Sequence, residues 1–181
     1  MKVLAFAAST SSHSINKQLV TYAGELLKSG IVENAEVEII DLNDFEMPIY
    51  SSDRENDNGI PEQGHAFLKK IAEADALLIS FAEHNGSYTA AFKNTFDWAS
   101  RAEMKVYQGK PAVLLATSPG PGGAKNVLNS ALGSAPHFGM DVKGSLSVPS
   151  FFDNFDVQAQ VVKDEELSAK LVVALTKLIQ A

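Results

Sequence analysis

The sequence predicts a doubly wound α/β fold, a five-stranded parallel sheet with helices on both faces. Two observations carry this. Apolar, strand-like runs alternate with amphipathic, helix-like stretches from one end of the chain to the other, with no linker or repeat between them. Two of the runs, 76–81 and 112–117, are almost continuously apolar, as strands are when helices cover both their faces.

The elements follow in order. Val3-Leu4-Ala5-Phe6-Ala7-Ala8 is the first strand. The helix after it, about residues 15–28, puts Ile15, Leu19, Val20, Ala23, Leu26 and Leu27 on one face and stops at Gly30. Val37-Glu38-Ile39-Ile40 reads as the second strand, ending at Asp41, a solvated strand end. Residues 51–59 are polar and read as a long loop, and Pro61 is placed to open the next helix at its first position. That helix turns Phe67, Leu68, Ile71 and Ala72 inward. After the third strand, residues 88–101 form a helix with Ala91, Phe92, Thr95, Phe96 and Ala99 on the sheet, and Trp98 reads as a packing residue. The fourth strand leads through a Gly/Pro turn to a helix bearing Val127, Leu128, Ala131 and Leu132. A weaker strand spans about 141–148. The last helix starts near Asp164, with acids first and Leu167, Leu171, Val172, Leu175, Leu178 and Ile179 at helical spacing.

The totals exclude several classes. The 181 residues suit a single domain, 1–181. Fifteen Lys plus Arg against 22 Asp plus Glu give a net charge of −7, and no basic stripe exists beyond Lys69-Lys70, so no nucleic-acid partner is expected. The chain has no cysteine, which removes disulfides, thiolate nucleophiles and Cys-ligated metals. The histidines at 13, 65, 84 and 137 form no ligand-spaced pair, so no metal site is expected. The apolar runs are far shorter than the roughly 20 residues of a membrane helix, and the N-terminus lacks a signal-peptide pattern. A cytoplasmic protein without a membrane partner is expected.

Open α/β sheets bind ligands outside the carboxyl ends of their strands, and three turns at that edge have unusual composition. The first is Ser9-Thr10-Ser11-Ser12-His13-Ser14-Ile15-Asn16. Its hydroxyls feed a helix start, where unpaired amides and the helix dipole favour negative charge, so it reads as a phosphate cradle. The second is Ala82-Glu83-His84-Asn85-Gly86-Ser87-Tyr88, in which the glycine permits a left-handed backbone and Ser87 is placed to cap the next helix. The third, Ser118-Pro119-Gly120-Pro121-Gly122-Gly123-Ala124, has little side chain and suits the close approach of a planar ligand.

At these positions the chain resembles the NADPH-dependent FMN reductase family, a branch of the flavodoxin-like fold, over about residues 1–148. Ser9-x-x-x-x-Ser14-x-Asn16 is similar to the family's phosphate loop and Glu83-His84-Asn85-Gly86-Ser87 to its Pro-Glu-Tyr-Asn turn. The latter is continued by Lys93-Asn94 and Asp97-Trp98-Ala99-Ser100-Arg101. Lys110-Pro111 leading to Ser118-Pro119-Gly120 resembles its third segment, and Asp41-Leu42 through Met47-Pro48 its second loop. The chain departs from the family at Ser11, where an Arg is common, and at Ala82 and His84, where Pro and Tyr are usual.

The resemblance implies bound FMN. Its phosphate would lie at Ser9, Ser11, Ser14, Ile15 and Asn16, and its ring against Ala82, Glu83, His84, Asn85, Gly86 and Ser87 and against Ser118, Gly120, Gly122 and Gly123. NADPH or NADH would deliver hydride to the flavin. Two electrons would then pass to a small acceptor: a quinone, an azo compound or free flavin. No side chain is required as acid or base. A homodimer or homotetramer is implied as well, and the loops offer apolar contacts in Met47-Pro48-Ile49-Tyr50, in 104–107 and in Phe151-Phe152. Two other readings stay open: an electron carrier of the flavodoxin class without nicotinamide-dependent activity, and a protein of this fold that has lost FMN. A dinucleotide-binding Rossmann domain is disfavoured because the first turn lacks Gly-x-Gly-x-x-Gly, and a serine hydrolase because no Gly-x-Ser-x-Gly is present.

Overall fold

Alternation within each strand builds two cores. In β1 (Lys2–Ala8), Leu4, Phe6 and Ala8 enter one core and Val3, Ala5 and Ala7 the other, because successive side chains of a strand point to opposite faces. β3 (Ala76–Phe81) and β6 (Pro111–Thr117) divide in the same way and are buried almost end to end. These strands belong to a computed structural model that describes residues 1–179; positions 180 and 181 of the expected domain lie outside the described residues.

Five strands pair in parallel in the order β2-β1-β3-β6-β7, with β2 (Glu36–Ile39) and β7 (Asp141–Val148) at the edges. β2 shows its edge position in its pattern, with exposed Glu36 and Glu38 alternating with half-buried Val37 and Ile39. The order is flavodoxin-like. The chain steps outward from β1 to β2 and then returns past β1 to β3, so the loops after β1 and β3 diverge and leave a crevice between them.

Helices α1 (Ile15–Leu26) and α7 (Glu165–Thr176) cover one face through Leu19, Val20, Ala23, Leu171 and Leu175. Helices α3 (Glu62–Glu73), α4 (Ala90–Ala102) and α5 (Lys125–Ser134) cover the other. There Phe6 meets Phe67 edge-on at 5.6 Å and stacks with Phe92 at 6.5 Å. Each fully buried ring of this kind stabilises the fold by about 1.5–3 kcal/mol. Among the described residues no helix is long and apolar enough to cross a membrane.

The structure corrects several local expectations. Residues 51–59 hold a short helix, α2 (Ser52–Asn58), with no buried residue, which is why hydrophobic periodicity does not reveal it. Ser51 Oγ caps it by accepting from Arg54 N at 3.2 Å. Glu55 anchors it by accepting from Tyr50 Oη and Arg101 Nε, both at 2.9 Å. Pro61 precedes α3 as its N-cap instead of opening it. Ala72, Val172 and Ile179 face water. In the segments expected to offer apolar contacts, Met47, Val106, Tyr107 and Phe151 are buried within the chain, whereas Ile49, Met104 and Phe152 stand out. Trp98 is buried as expected of a packing residue, and its Nε1 donates to Pro48 O at 2.7 Å. After β7 the chain adds α6 (Phe151–Asn154) and a small hairpin, β8 (Phe155–Asp156) and β9 (Val161–Val162), fastened by the stack of Phe151 on Phe155 at 4.7 Å.

Candidate functional site

Each of the three turns begins where a buried strand ends, so the sheet sets their relative positions. The first leaves β1 at Ala8, whose carbonyl accepts from Thr89 Oγ1 at 2.9 Å. Ser9 Oγ then accepts from Ser11 N at 3.2 Å and Ser11 Oγ from His13 N at 3.3 Å, two serine turns in succession. Ser14 Oγ accepts from Lys17 N at 3.2 Å and caps α1. In all three the oxygen serves the chain as acceptor, and among the described residues nothing accepts from the O–H. Ile15 and Asn16 open α1, so their amides have no partner within the helix and sit at its positive end. Hydroxyls and amides thus gather as neutral donors at the positive end of α1, chemistry suited to an anion.

Lys17 does not serve this cradle. It forms an ion pair with Asp41, and the hydrogen bond from Lys17, seconded by the Asn43 amide, holds the Asp41 carboxyl below the usual carboxylate range. Asp41 is therefore more than the solvated strand end its position suggests. It caps the short turn Leu42–Phe45 and ties β2 to α1. Asn43 Nδ2, held by Asp41, also donates to Thr10 O at 3.1 Å and so pins the first turn from the β2 side.

The second turn is a hairpin of β4 (Glu83–His84) and β5 (Ser87–Tyr88). Asn85 and Gly86 form its two-residue loop, with φ of 52° and 76°, the left-handed pair that tight hairpins require. Ser87, expected as a helix cap, pairs with His84 in the hairpin instead. Thr89 is the cap of α4, its Oγ1 accepting from Phe92 N at 3.2 Å. Glu83 Oε2 reaches across to accept from Val127 N at 2.9 Å in the first turn of α5.

The third turn is bound to the end of β7. Thr117 Oγ1 donates to Val148 O and Ser147 Oγ to Gly123 O, each at 2.7 Å, while Ser150 N donates to Gly120 O at 2.9 Å. Gly123 has φ +61°, and a Cβ there would lie 2.3 Å from Ser147 Oγ. Packing against β7 therefore demands this glycine, without reference to a ligand. Gly120 and Gly122 differ, since a Cβ on either would meet nothing within 4 Å.

Between the turns lies a cleft of about 230 Å³. Of the residues expected at a site, it brings together Ser9, Ser11, Ser14, Ile15, Asn16, Ala82, Glu83, His84 and Ser118. Asn85, Gly86, Ser87, Gly120, Gly122 and Gly123 do not line it. His13, Thr117 and Pro119 join the lining although sequence reasoning passed over them; no Arg or Lys does. A larger hollow of about 440 Å³ lies beside β2, among Lys2, Glu36, Glu38, Lys70 and Glu73. Its walls neutralise each other, as in the Lys70–Glu38 pair, and no helix start points into it. The smaller cleft is the one with chemistry.

Asn16 Nδ2 and Oδ1 are both committed. The side chain is buried. Its Oδ1 accepts from Ser80 Oγ at 2.8 Å and Thr117 N at 3.1 Å, and its Nδ2 donates to Thr117 O at 3.1 Å. Sequence reasoning missed Ser80 and Thr117. The available signal was a lone hydroxyl in an otherwise apolar buried strand, which calls for an internal partner.

Residues 1–153 match the family model described as NADPH-dependent FMN reductase. A 2-hydroxy-1,4-benzoquinone reductase of a Burkholderia species is 36% identical over 121 residues, 66% of this chain and 62% of that protein. An NADPH:quinone oxidoreductase of Arabidopsis thaliana is 34% identical over 126 residues, 70% of this chain and 62% of that protein. The chain thus spans under two thirds of the length of these relatives. Among solved structures, a flavoenzyme NAD(P)H:(acceptor) oxidoreductase from Paracoccus denitrificans aligns over 99% of this chain and 97% of its own. Its TM-score is 0.75 at 26% identity.

Proposed function

This chain belongs to the NADPH-dependent FMN reductase family, and from that premise we propose that it is an FMN-dependent oxidoreductase. It takes hydride from NADPH or NADH and passes two electrons to a small acceptor such as a quinone, an azo compound or free flavin. Residues 1–181 act as one FMN-binding domain, working in the cytoplasm as a homodimer or homotetramer. The observation that carries the reading is the meeting of the Ser9–Ser14 cradle with the 83–88 hairpin and Ser118 in one cleft, at the point where the chain reverses between β1 and β3.

The residues present fit FMN. Free O–H groups of Ser9, Ser11 and Ser14 and the open amides of Ile15 and Asn16 would take the phosphate, and Ala82, Glu83, His84 and Ser118 would flank the ring. Bound there, FMN supplies hydride acceptance and the onward transfer of electrons. The chain contributes orientation and electrostatics. The donors at the start of α1 fix one end of the ligand. The Glu83 bond to Val127 fixes the hairpin against α5. No aromatic residue stands in 118–124, and the space at Gly120 and Gly122 is open. That openness favours an enzyme admitting nicotinamide over a carrier that shields its ring on both faces.

The test is direct. Adding FMN to the apoprotein is expected to quench flavin fluorescence, and the complex is expected to oxidise NADPH or NADH with a benzoquinone as acceptor. FMN binding without nicotinamide oxidation would select the electron carrier. Absence of binding would select the protein that has lost its flavin.

A further inference from the structure

We propose that Asn16 is a positioning residue, one whose side chain sets the phosphate cradle against the ring-binding turns. The inference rests on FMN occupying the cleft, as proposed above.

The side chain of Asn16 is 2% exposed and joins three segments. Its carboxamide meets the backbone of Thr117 at two points, accepting from Thr117 N and donating to Thr117 O, each at 3.1 Å, as a neighbouring strand would. The same Oδ1 accepts from Ser80 Oγ at 2.8 Å. Thr117 closes β6 and immediately precedes Ser118, while Ser80 is the next-to-last residue of β3, two positions before Ala82. One amide at the second position of α1 therefore sets the start of that helix against the ends of both strands that launch the other turns. Its Oδ1 accepts twice and one Nδ2 hydrogen goes to Thr117 O, so most of its bonding capacity holds the three segments together.

The rest of the cradle is fixed in the same manner. Thr89 holds Ala8 O and Asn43 holds Thr10 O from either side. A cradle of neutral donors gains most from being held in its binding geometry beforehand, because a movable donor must be ordered when the ligand arrives. The two ends of the cleft are thereby coupled through Asn16: disturbing it should weaken whatever is bound at either end.

Ser80 provides the clean test, since its side chain is fully buried, outside the cleft, and acts on the cleft through Asn16. Dissociation constants for FMN and for riboflavin, which lacks the phosphate, are measured by fluorescence quenching on wild type, Ser80→Ala, Asn16→Ala and the double variant. Ile71→Val serves as the control for general destabilisation. Ser80→Ala is expected to weaken both flavins by about three- to tenfold, the scale of one lost hydrogen bond. Asn16→Ala is expected to weaken both by more. The double variant should be no worse than Asn16→Ala, because the two changes remove one network, and Ile71→Val should leave both constants unchanged. If Asn16→Ala lowers FMN affinity alone, or if Ser80→Ala changes neither flavin, the positioning role is overturned. Should Asn16→Ala fail to fold, Ser80→Ala alone decides by the same criterion. Wild type that binds neither flavin overturns the FMN reading, and the role of Asn16 falls with it.

Discussion

Glu83 and Val127 lie 44 positions apart, and the carboxylate of the first accepts the backbone amide of the second at 2.9 Å. The bond lets a residue of the second turn cap α5, whose own N-cap position is Ala124, a residue with no side-chain oxygen and a left-handed backbone. Sequence alone offers no cap for α5. The structure supplies one from across the cleft.

Removing it should therefore cost helix-cap energy. Glu83→Ala is expected to lose about 1–2 kcal/mol, a Tm lower by roughly 2–8 °C for a chain of this size. Glu83→Gln keeps an acceptor oxygen and should recover at least half of the loss. Calorimetric melts of the three proteins check this, and equal melting of wild type and Glu83→Ala would contradict it.

The cleft contains no Arg or Lys, which makes Ser11 a place to add charge. Ser11→Arg is expected to tighten FMN binding roughly tenfold at low salt, because hydrogen bonds to a charged partner are about twice as strong as neutral ones. The gain should shrink as salt rises, since the position is exposed and open to screening. The quantity to compare is the FMN dissociation constant of both proteins at two ionic strengths. An affinity unchanged or reduced at low salt would mean that the phosphate does not lie at this turn.

The legible part of the fold was the part with a continuous hydrophobic pattern. Residues 76–81 and 112–117 admit little but a doubly covered strand, and they are β3 and β6. The illegible part was held by polar contacts between distant residues. Helix α2 buries nothing and depends on Glu55 meeting Arg101, 46 positions away. At the site the serines read correctly as a helix start, because a cap is a local device. Asn16 lines the cleft, but its internal partners were not legible. An amide among serines looks like one more donor, and its partners Ser80 and Thr117 lie 64 and 101 positions away. The Asn85-Gly86 pair announces a tight hairpin, but each arm is two residues long, too short for alternation to mark it as a strand.

Asp41 gives a prediction for acid. Its carboxyl, hydrogen-bonded to Lys17 and to the Asn43 amide, is held below its usual value when folded. The pair is thus fully effective above the unfolded pKa of about 3.9. Its contribution is lost as pH falls through the lower folded value. About a third or more of each side chain is exposed, so the effect stays under about 1 kcal/mol. Asp41→Asn should be less stable than wild type at pH 7 by that margin, and the difference should vanish near pH 2. Urea midpoints at the two pH values decide; a gap that persists or widens in acid would assign the stabilisation to packing.

Ile49 bears on self-association. It is 75% exposed, yet the loop that carries it is tightly held. Asn94 Nδ2 donates to Met47 O and Pro48 O at 3.0 and 3.2 Å, Asn94 Oδ1 accepts from Tyr50 N at 2.8 Å, and Trp98 Nε1 donates to Pro48 O. A large aliphatic side chain displayed on a fixed backbone loses little freedom on docking, which suits it to anchor a contact. Ile49 borders a hollow of about 240 Å³ whose lining mixes Leu42, Phe45 and Met47 with the polar Thr10, Asn43 and Glu46. Light scattering at micromolar concentration is expected to give a multiple of the 19.4 kDa chain mass for wild type. Ile49→Asp should shift the population toward one chain while changing the chain's own folding stability by no more than about 0.5 kcal/mol, as expected for an exposed position. Wild type that runs as a single chain would end the proposal of a dimer or tetramer. A variant that associates as well as wild type would move the contact to another exposed apolar side chain such as Met104 or Phe152.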